Sequence, residues 1–309
     1  MTLTGPDHII HAVPYLLGFH PRDSIVLIWV CDGCIVLTQR YDRDAQVDVG
    51  LLQRAAARVQ ATEVIICGFA PGHARLTCRE EVRSLSRHFD SVIDAIVVSG
   101  AHWWCAQDGS DACPAGGHPI DGSIADEVAV SFIAQGIQIQ PDRLALEGEV
   151  AADMEGRAAV TDLMSTCDVI PVEHLWHILT SSRPYGPISP HSAARIVRTL
   201  CEEAIRDQLL LSMVTTDHAS LTLAGDRLSA VLRIAPDAQV PGIGSVAAMA
   251  RWLAGDGARA WACLDRAASI DPDHGLTRVV STALHAGLPP SSWRDALASA
   301  PFDSPRTIG

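Results

Sequence analysis

The amino-terminal part of the chain alternates short β-branched apolar runs with longer stretches whose apolar positions recur at helical spacing. Two of the runs, SIVLIWV at 24–30 and CIVLTQR at 34–40, flank CDGC, whose Asp-Gly pair is a strong signal for a two-residue turn. The pattern predicts a β-hairpin with its two cysteines facing each other across the turn. A C-x-x-C pair can also be half of a redox or metal site, but we favour a structural hairpin because no second pair completes four ligands.

Two more apolar runs, EVIICGF at 63–69 and SVIDAIVVSG at 91–100, are typical of buried strands. Each follows a stretch with helical spacing, at 47–59 and at 74–89. An order of strand, helix, strand, helix, strand implies parallel neighbours joined by right-handed crossovers. We therefore predict an α/β domain over residues 1–122, with a small mixed, mostly parallel sheet that begins with the amino-terminal hairpin.

From Ser123 onward the pattern becomes helical, and Ser123 and Asp126 are spaced as a capping box at its start. Near the carboxyl end, ARAWACLDRAASIDP places small and apolar residues and a proline at the spacing of the second helix of a tetratricopeptide repeat. A single match does not indicate a solenoid. We predict an α-helical domain over 123–309, with two tetratricopeptide-like helical hairpins over 241–299.

The composition is that of a folded protein, with 48% hydrophobic and 19% charged residues. The formal net charge of −13 comes from 23 basic and 36 acidic residues. Such a chain repels a phosphate backbone, so nucleic acid is not an expected partner.

The longest apolar run, at 24–30, is far shorter than the roughly 20 residues that a membrane helix needs. The amino terminus has neither a basic n-region nor a small-residue cleavage site, so we expect no signal peptide. The cysteine count of nine is odd, and Cys67, Cys201 and Cys263 fall inside apolar patterns. These features predict a soluble cytoplasmic protein, with no membrane partner, in which the cysteines inside apolar patterns are small core residues.

The segment AHWWCAQDGSDACPAGGHPIDG, at 101–122, has no hydrophobic period but contains four possible zinc ligands: His102, Cys105, Cys113 and His118. Recognisable zinc loops present their ligands in close pairs such as C-x-x-C, and this spacing is only a loose version. We therefore expect a metal-free loop with free thiols, and no cofactor. The chain also lacks a G-x-S-x-G elbow, a P-loop, a G-x-G-x-x-G motif and a kinase signature set.

In an open α/β sheet, ligands bind beyond the carboxyl ends of the parallel strands. In the predicted sheet these ends lead into GFAPGH and SGAHWW, and the hairpin brings GFHPRDS and YDRD to the same edge. The candidate ligand-binding residues at this edge are Arg22, Asp23, Tyr41, Asp42, Arg43, His73, His102, Trp103 and Trp104. Paired aromatics with arginine and carboxylates suit a polar organic ligand or a side chain of a protein partner.

A purely structural interpretation of this edge is equally well supported. Residues 21–24 can form a turn whose aspartate caps backbone groups, and Trp103 and Trp104 can pack against the helical half. Exposed tryptophans with no cleft between 20–24 and 102–104 would favour a protein partner. A closed polar pocket there would favour a small ligand.

Three stretches together resemble a known family: HAVPYLLGFHPRDSIVLI at 11–28, the spaced WW, CP, G and P of 103–119, and MARWLAGDGARAWACLDRAASIDPDH at 249–274. They are similar to the family called domain of unknown function 4192, found mostly in actinobacteria, and the resemblance covers nearly the whole chain. The family pattern has a further cysteine where this sequence has Ala112, which weakens the zinc hypothesis. The resemblance supports the fold and the compartment but implies no activity.

Two functions from different classes follow. The first is a non-enzymatic protein-interaction or regulatory module, because helical hairpins offer a groove and no nucleophile and base stand at a specific spacing. The second is an enzyme or small-molecule sensor at the carboxyl edge of the sheet, with Asp23 or His102 as acid or base and Arg22 as the anion contact. Whether the protein is an enzyme, its partner and its oligomeric state stay open at the level of sequence.

Overall fold

The computed structural model describes residues 3–107, 113–134, 136–181 and 188–293, so Ala112 lies outside the described residues. The chain divides into two compact units, residues 1–148 and 149–309. The fold is mixed α/β and mostly helical, and the strands among the described residues all belong to the first unit.

The first unit contains a six-stranded sheet with the strand order β2-β1-β3-β4-β5-β6. Its strands are β1 (Ser24–Cys31), β2 (Cys34–Asp42), β3 (Glu63–Phe69), β4 (Val92–Ser99), β5 (His102–Cys105) and β6 (His118–Pro119). β1 pairs antiparallel with β2 across Asp32 and Gly33, whose φ angles of +49° and +74° suit a type I′ turn.

The prediction of a mostly parallel sheet is wrong. Among the described strands only β3 and β4 pair in parallel, while the other four pairs are antiparallel. The reason is that β1 lies between β2 and β3 and runs opposite to both, so the crossover from β2 to β3 passes over an intervening strand. At the other end, Gly100 with a φ of +60° turns the chain back into β5, a strand that the sequence pattern did not reveal.

Helices cover both faces of the sheet. On one face, α2 (Val49–Arg58) and α3 (Arg75–Ser86) pack against Leu27, Ile66 and Val97 in a continuous apolar core. On the other face, α1 (Gly5–Leu17) contacts β2 and β4. The helix α4 (Ala125–Ile133) packs on α1, where Tyr15 and Phe132 stack with ring centroids 4.9 Å apart.

The first unit runs past residue 122, where the pattern predicted a change of domain. Besides α4 it includes α5 (Arg143–Gly148). The chain between α4 and α5 also pairs with the segment before β1, because Gln140 forms a β-bridge with Phe19. The first helices after residue 122, α4 and α5, therefore belong to the same unit as the sheet, and the second unit starts after them.

The second unit is a helical array built around one buried helix. Its helices are α6 (Met154–Met164), α7 (Val172–Thr180), α8 (Pro190–Leu200), α9 (Glu203–Val214), α10 (His218–Ile234), α11 (Val240–Leu253), α12 (Gly257–Ala268) and α13 (Gly275–His285). Almost every residue of α11 is buried, and α10 and α12 are its main neighbours. A Cβ on Gly244 would lie 2.9 Å from the Cys263 carbonyl oxygen, so α11 and α12 approach closely.

The helical hairpins predicted over 241–299 overlap α11, α12 and α13. Their tetratricopeptide-like character stays a prediction, and the part after residue 293 lies outside the described residues. In the described ranges, no helix combines the length and the apolar character that crossing a bilayer requires.

Gly68 of β3 gives a direct test of the packing between β3 and α3. A Cβ at this position would lie 2.5 Å from the Cys78 sulfur and 2.8 Å from a Val82 methyl, and both neighbours are fully buried. We expect Gly68→Ala to lower the free energy of unfolding by about 1–3 kcal/mol, because a close-packed core accepts an added methyl poorly. Denaturant unfolding, with hydrogen exchange of β3 peptides, measures the effect.

The matched control is Gly72→Ala, since a Cβ there meets nothing within 4 Å. Its effect should stay within about 0.5 kcal/mol. Adding Cys78→Ala to Gly68→Ala should recover part of the loss, because it removes the nearest obstructing atom. Equal stabilities of the two glycine variants would show that α3 yields freely to the methyl group.

Candidate functional site

A shallow depression lies at the carboxyl ends of β3 and β4, next to the start of β1. Its volume is about 390 Å³, and mostly apolar atoms line it. The lining residues are Pro21, Arg22, Asp23, Phe69, Ala70, Pro71, Val98 and Gly100. The depression therefore lies at the edge that the topology argument selected, with two of the nine candidate residues, Arg22 and Asp23, on its wall.

Asp23 is held in place by a buried guanidinium. Its φ of +43° is left-handed, a conformation that aspartate tolerates better than most residues. The Arg43 backbone N–H donates to the Asp23 carbonyl at 3.2 Å, and Arg43 Nη1 donates to Asp23 Oδ1 at 2.6 Å. The same guanidinium donates to both Glu81 oxygens, from Nε at 2.7 Å and from Nη2 at 3.0 Å.

These contacts make Arg43 a fixed cation that joins the start of β1, the end of β2 and α3. Its side chain is only 10% exposed. The hydrogen bond to Glu81 raises the pKa of Arg43 above its ordinary value, and the one to Asp23 raises it further. Burial opposes the charge but is outweighed. Arg43 therefore stabilises this edge and leaves Asp23 as an acceptor already in use.

Tyr41 and Asp42 lie at the end of β2, outside the lining of the depression. Tyr41 pairs with Ile25 and packs against the apolar core, and its hydroxyl accepts from Gln39 Nε2 at 3.2 Å. Burial, with the nearby Asp48 carboxylate, raises the pKa of Tyr41 to about 12. Asp42 accepts from Arg40 and forms an ion pair of 3.6 Å with Arg143.

The two tryptophans are in the sheet and not at its edge. β5 runs antiparallel to β4, so Trp103 and Trp104 lie opposite Val98 and Val97 and point to opposite faces. They are 9% and 8% exposed, respectively. Trp104 packs under the Arg75 guanidinium, 4.4 Å from its ring centroid, and Trp103 stacks on a histidine described below.

The remaining edge candidates, His73 and His102, are both exposed. His73 lies in the short 3-10 turn Gly72–Ala74, and the His102 ring lies 6.0 Å from that of Trp104. Neither condition set by the sequence is met at this edge: the tryptophans are buried, and the depression is open and mostly apolar, without residues 102–104 among its lining.

Three of the four weak metal candidates do come together. The sulfurs of Cys105 and Cys113 and a ring nitrogen of His118 all lie within 4.8 Å of one another. The Cys105 backbone N–H donates to Cys113 Sγ at 3.2 Å. Burial, with the neighbouring Cys113 thiol, raises the pKa of Cys105 to about 11. His102 is outside this group, because it lies three positions before Cys105 along β5 and therefore on the opposite face of the sheet.

The comparisons with known proteins identify the family. A family model described as domain of unknown function (DUF4192) matches residues 6–291, nearly the whole chain. The protein belongs to the DUF4192 family. No curated protein and no solved structure matches this DUF4192 chain. Since the family description contains no activity, the function has to be argued from the site itself.

Several residues of this candidate site were missed from the sequence. Glu81 was not a candidate, although it holds Arg43, and the apolar wall formed by Phe69 and Val98 was assigned to the core. Glu81 could have been found from its place in the chain, because α3 follows directly after the carboxyl end of β3 and so begins near the same edge. No polar motif marks an apolar wall, so the depression itself had no sequence signal.

The Arg43 contacts predict a difference between adjacent glutamates of this DUF4192 protein. Glu81→Gln removes the charged partner of a guanidinium that is 10% exposed, so it should lower the free energy of unfolding by about 1–2 kcal/mol. The control is Glu80→Gln, whose side chain is 68% exposed and pairs with Arg83 at 3.0 Å. That change should stay within about 0.5 kcal/mol.

Denaturant unfolding, with hydrogen exchange of β1 and α3 peptides to localise the change, measures both variants. Equal losses in the two variants would mean that the Arg43 contacts contribute no more than an exposed ion pair does.

Proposed function

We propose that this protein is a non-enzymatic interaction or regulatory module that takes an apolar side chain of a partner protein in the depression at the carboxyl edge of the sheet. The observation that carries the proposal is the form of the depression, which is shallow and mostly apolar with Arg22 and Asp23 beside it. Small-molecule sites usually enclose most of their ligand. Protein interfaces instead combine an apolar centre with a polar rim, which is the arrangement here.

The floor of the depression is held in one conformation, and this favours binding because little ordering is required. The Ala70 backbone N–H donates to the Val98 carbonyl at 3.1 Å, so the ends of β3 and β4 are joined. The Asp23 backbone is fixed by Arg43 as described above. A partner side chain would therefore meet a preformed surface.

Charge gives a further preference. The formal net charge of −13 favours encounter with a basic partner surface through long-range attraction. Arg22, 74% exposed and 3.7 Å from Asp142, adds a local positive charge at the rim that selects an acidic group next to the apolar anchor. The proposed partner thus carries an apolar residue with an adjacent carboxylate on an otherwise basic surface.

A second candidate function, a sensor or enzyme for a small polar ligand, rests on Arg22 alone. Its exposed guanidinium on the wall of the depression suits a carboxylate or a phosphate. Asp23, the proposed acid or base of that function, already accepts from Arg43, so a sensor is better supported than an enzyme. An NMR titration with benzoate tests it: the Val98 methyl signals should shift in the wild type and not in Arg22→Gln.

The interaction proposal is tested with a photo-crosslinking residue at Pro71, an exposed position on the depression, in cells that produce the protein. We expect a discrete crosslinked protein from position 71. We expect none from Ile93, which is 45% exposed near the opposite end of β4. Mass spectrometry of the adduct then identifies the partner.

Two charge reversals provide matched variants. Arg22→Glu should reduce the adduct by about threefold or more, since it places a like charge against the partner's carboxylate. Arg54→Glu on α2 changes the net charge equally at a side chain that is 59% exposed, and it should leave the yield unchanged. Equal yields from positions 71 and 93, or equal effects of the two reversals, would contradict the proposal.

A further inference from the structure

β5 and β6 place potential metal ligands on one face of the sheet. Antiparallel partners lie opposite each other and point to the same side, and residues two apart on a strand share a face. The register pairs Trp103 with His118 and Ile96 with Cys105. Trp103, Cys105 and His118 therefore share the face opposite to the α2 and α3 layer, while Trp104 lies on the α3 side.

The turn that leads into β6 fixes the position of Cys113. The Gly117 backbone N–H donates to the Pro114 carbonyl at 2.8 Å, and Trp104 Nε1 donates to the Ala115 carbonyl at 3.3 Å. Gly117 has a φ of +79°, and a Cβ there would overlap the Trp104 ring, so only glycine fits. The turn and Trp104 thus determine the position from which Cys113 approaches Cys105.

The resulting geometry is close to that of a tetrahedral metal site. Zinc bonds of about 2.3 Å to sulfur and about 2.0 Å to nitrogen place neighbouring ligand atoms roughly 3.5–3.8 Å apart. The ligand atoms here lie within 4.8 Å of one another, so side-chain adjustments of about 1 Å bring them to these separations. Across the part of the chain that the structure describes, this is the one such group of three His, Cys or acidic residues.

We propose that Cys105, Cys113 and His118 bind a zinc ion, with no fourth protein ligand among the residues that the structure describes. Two thiolates and an imidazole form a donor set that binds zinc in preference to magnesium or calcium. Two thiolates also balance the charge of Zn²⁺, and each thiol releases its proton to the buffer as the metal binds. The sequence alone favoured a metal-free loop because the strand pairing that gathers these ligands has no sequence motif.

Contacts around the ligands support the proposal, because metal sites orient their ligands through neighbouring groups. The Trp103 ring stacks on the His118 imidazole, with centroids 4.3 Å apart and an interplanar angle of 21°. The N–H of Cys105 already donates to the Cys113 sulfur, and Arg79 Nε donates to the Cys105 carbonyl at 2.7 Å. A backbone N–H that donates to a sulfur, as Cys105 does to Cys113, stabilises the thiolate form.

Three ligands among the described residues distinguish this site from a closed structural zinc site, which has four protein ligands. All three ligands are half-buried, so water or one donor from another molecule has access to the metal. Zinc here would also tie β6 and its preceding turn to the edge of the sheet. The proposal is independent of the function proposed for the depression.

The alternative for two neighbouring thiols is a disulfide between Cys105 and Cys113. A disulfide leaves His118 without a role, whereas the zinc site requires it. His118→Phe is therefore the decisive variant, since it keeps an aromatic ring against Trp103 and removes the ligand nitrogen. His102→Phe, on the other face of β5, and Cys34→Ser, an exposed cysteine, are the matched controls.

The experiment uses the full chain, purified with a phosphine reductant and without chelator, and measures zinc by elemental mass spectrometry. We expect about one zinc per chain in the wild type and in both controls. The double variant Cys105→Ser and Cys113→Ser should bind none, and His118→Phe should lose at least about tenfold in affinity in a chelator competition. Circular dichroism verifies that each variant is folded.

Replacement of zinc by Co²⁺ gives a second readout that does not depend on any variant. The wild type should show the intense visible bands of tetrahedral cobalt together with thiolate-to-cobalt charge transfer. Failure of the reduced wild type to bind Zn²⁺ or Co²⁺ would overturn the proposal. So would metal binding that is unchanged in His118→Phe, or a Cys105–Cys113 disulfide that forms whether or not zinc was offered first.

Discussion

The first unit depends on the burial of β1 on both of its faces. Ile25, Leu27 and Trp29 point to one face and Val26, Ile28 and Val30 to the other, and none of these side chains is more than 6% exposed. Each contributes roughly 1.5–3 kcal/mol by leaving water, so the strand is stable only when helices cover both sides of the sheet. Because β1 runs opposite to both of its neighbours, β2 and β3 point in the same direction on either side of it.

Much of this architecture is contained in the periodicity of the sequence. The mixed α/β class is confirmed, and β1 to β4 lie where the apolar runs predicted strands. The order of those strands was not predictable in the same way, because periodicity says which residues are buried but not which strand lies beside which. The prediction of parallel neighbours failed between β2 and β3, because β1 lies between them and runs antiparallel to both.

The sequence pointed to the edge of the sheet where the depression lies, but only two of the nine candidate residues, Arg22 and Asp23, line it. The depression lies at the edge that the topology argument selected, because that argument depends only on where the strands end. The same prediction gave too much weight to Trp103 and Trp104 because it treated 101–122 as a loop, and a four-residue strand with both aromatics buried has no visible alternation. The proximity of Cys105, Cys113 and His118 was not predicted for the same reason: spacing along the chain is a poor guide when a second strand brings the third side chain close.

The burial of α11 has a consequence for how the second unit is assembled. A helix that is apolar on all sides has no face that water can solvate, so it cannot persist before its neighbours are in place. α10 precedes it and α12 follows it, so a growing chain exposes α11 until the residues after it are made. Truncation before α12 would leave this surface uncovered, and such fragments are expected to aggregate during synthesis. The carboxyl-terminal helices α12 and α13 thus complete the cover of α11, and the unit is closed to water only once they are present.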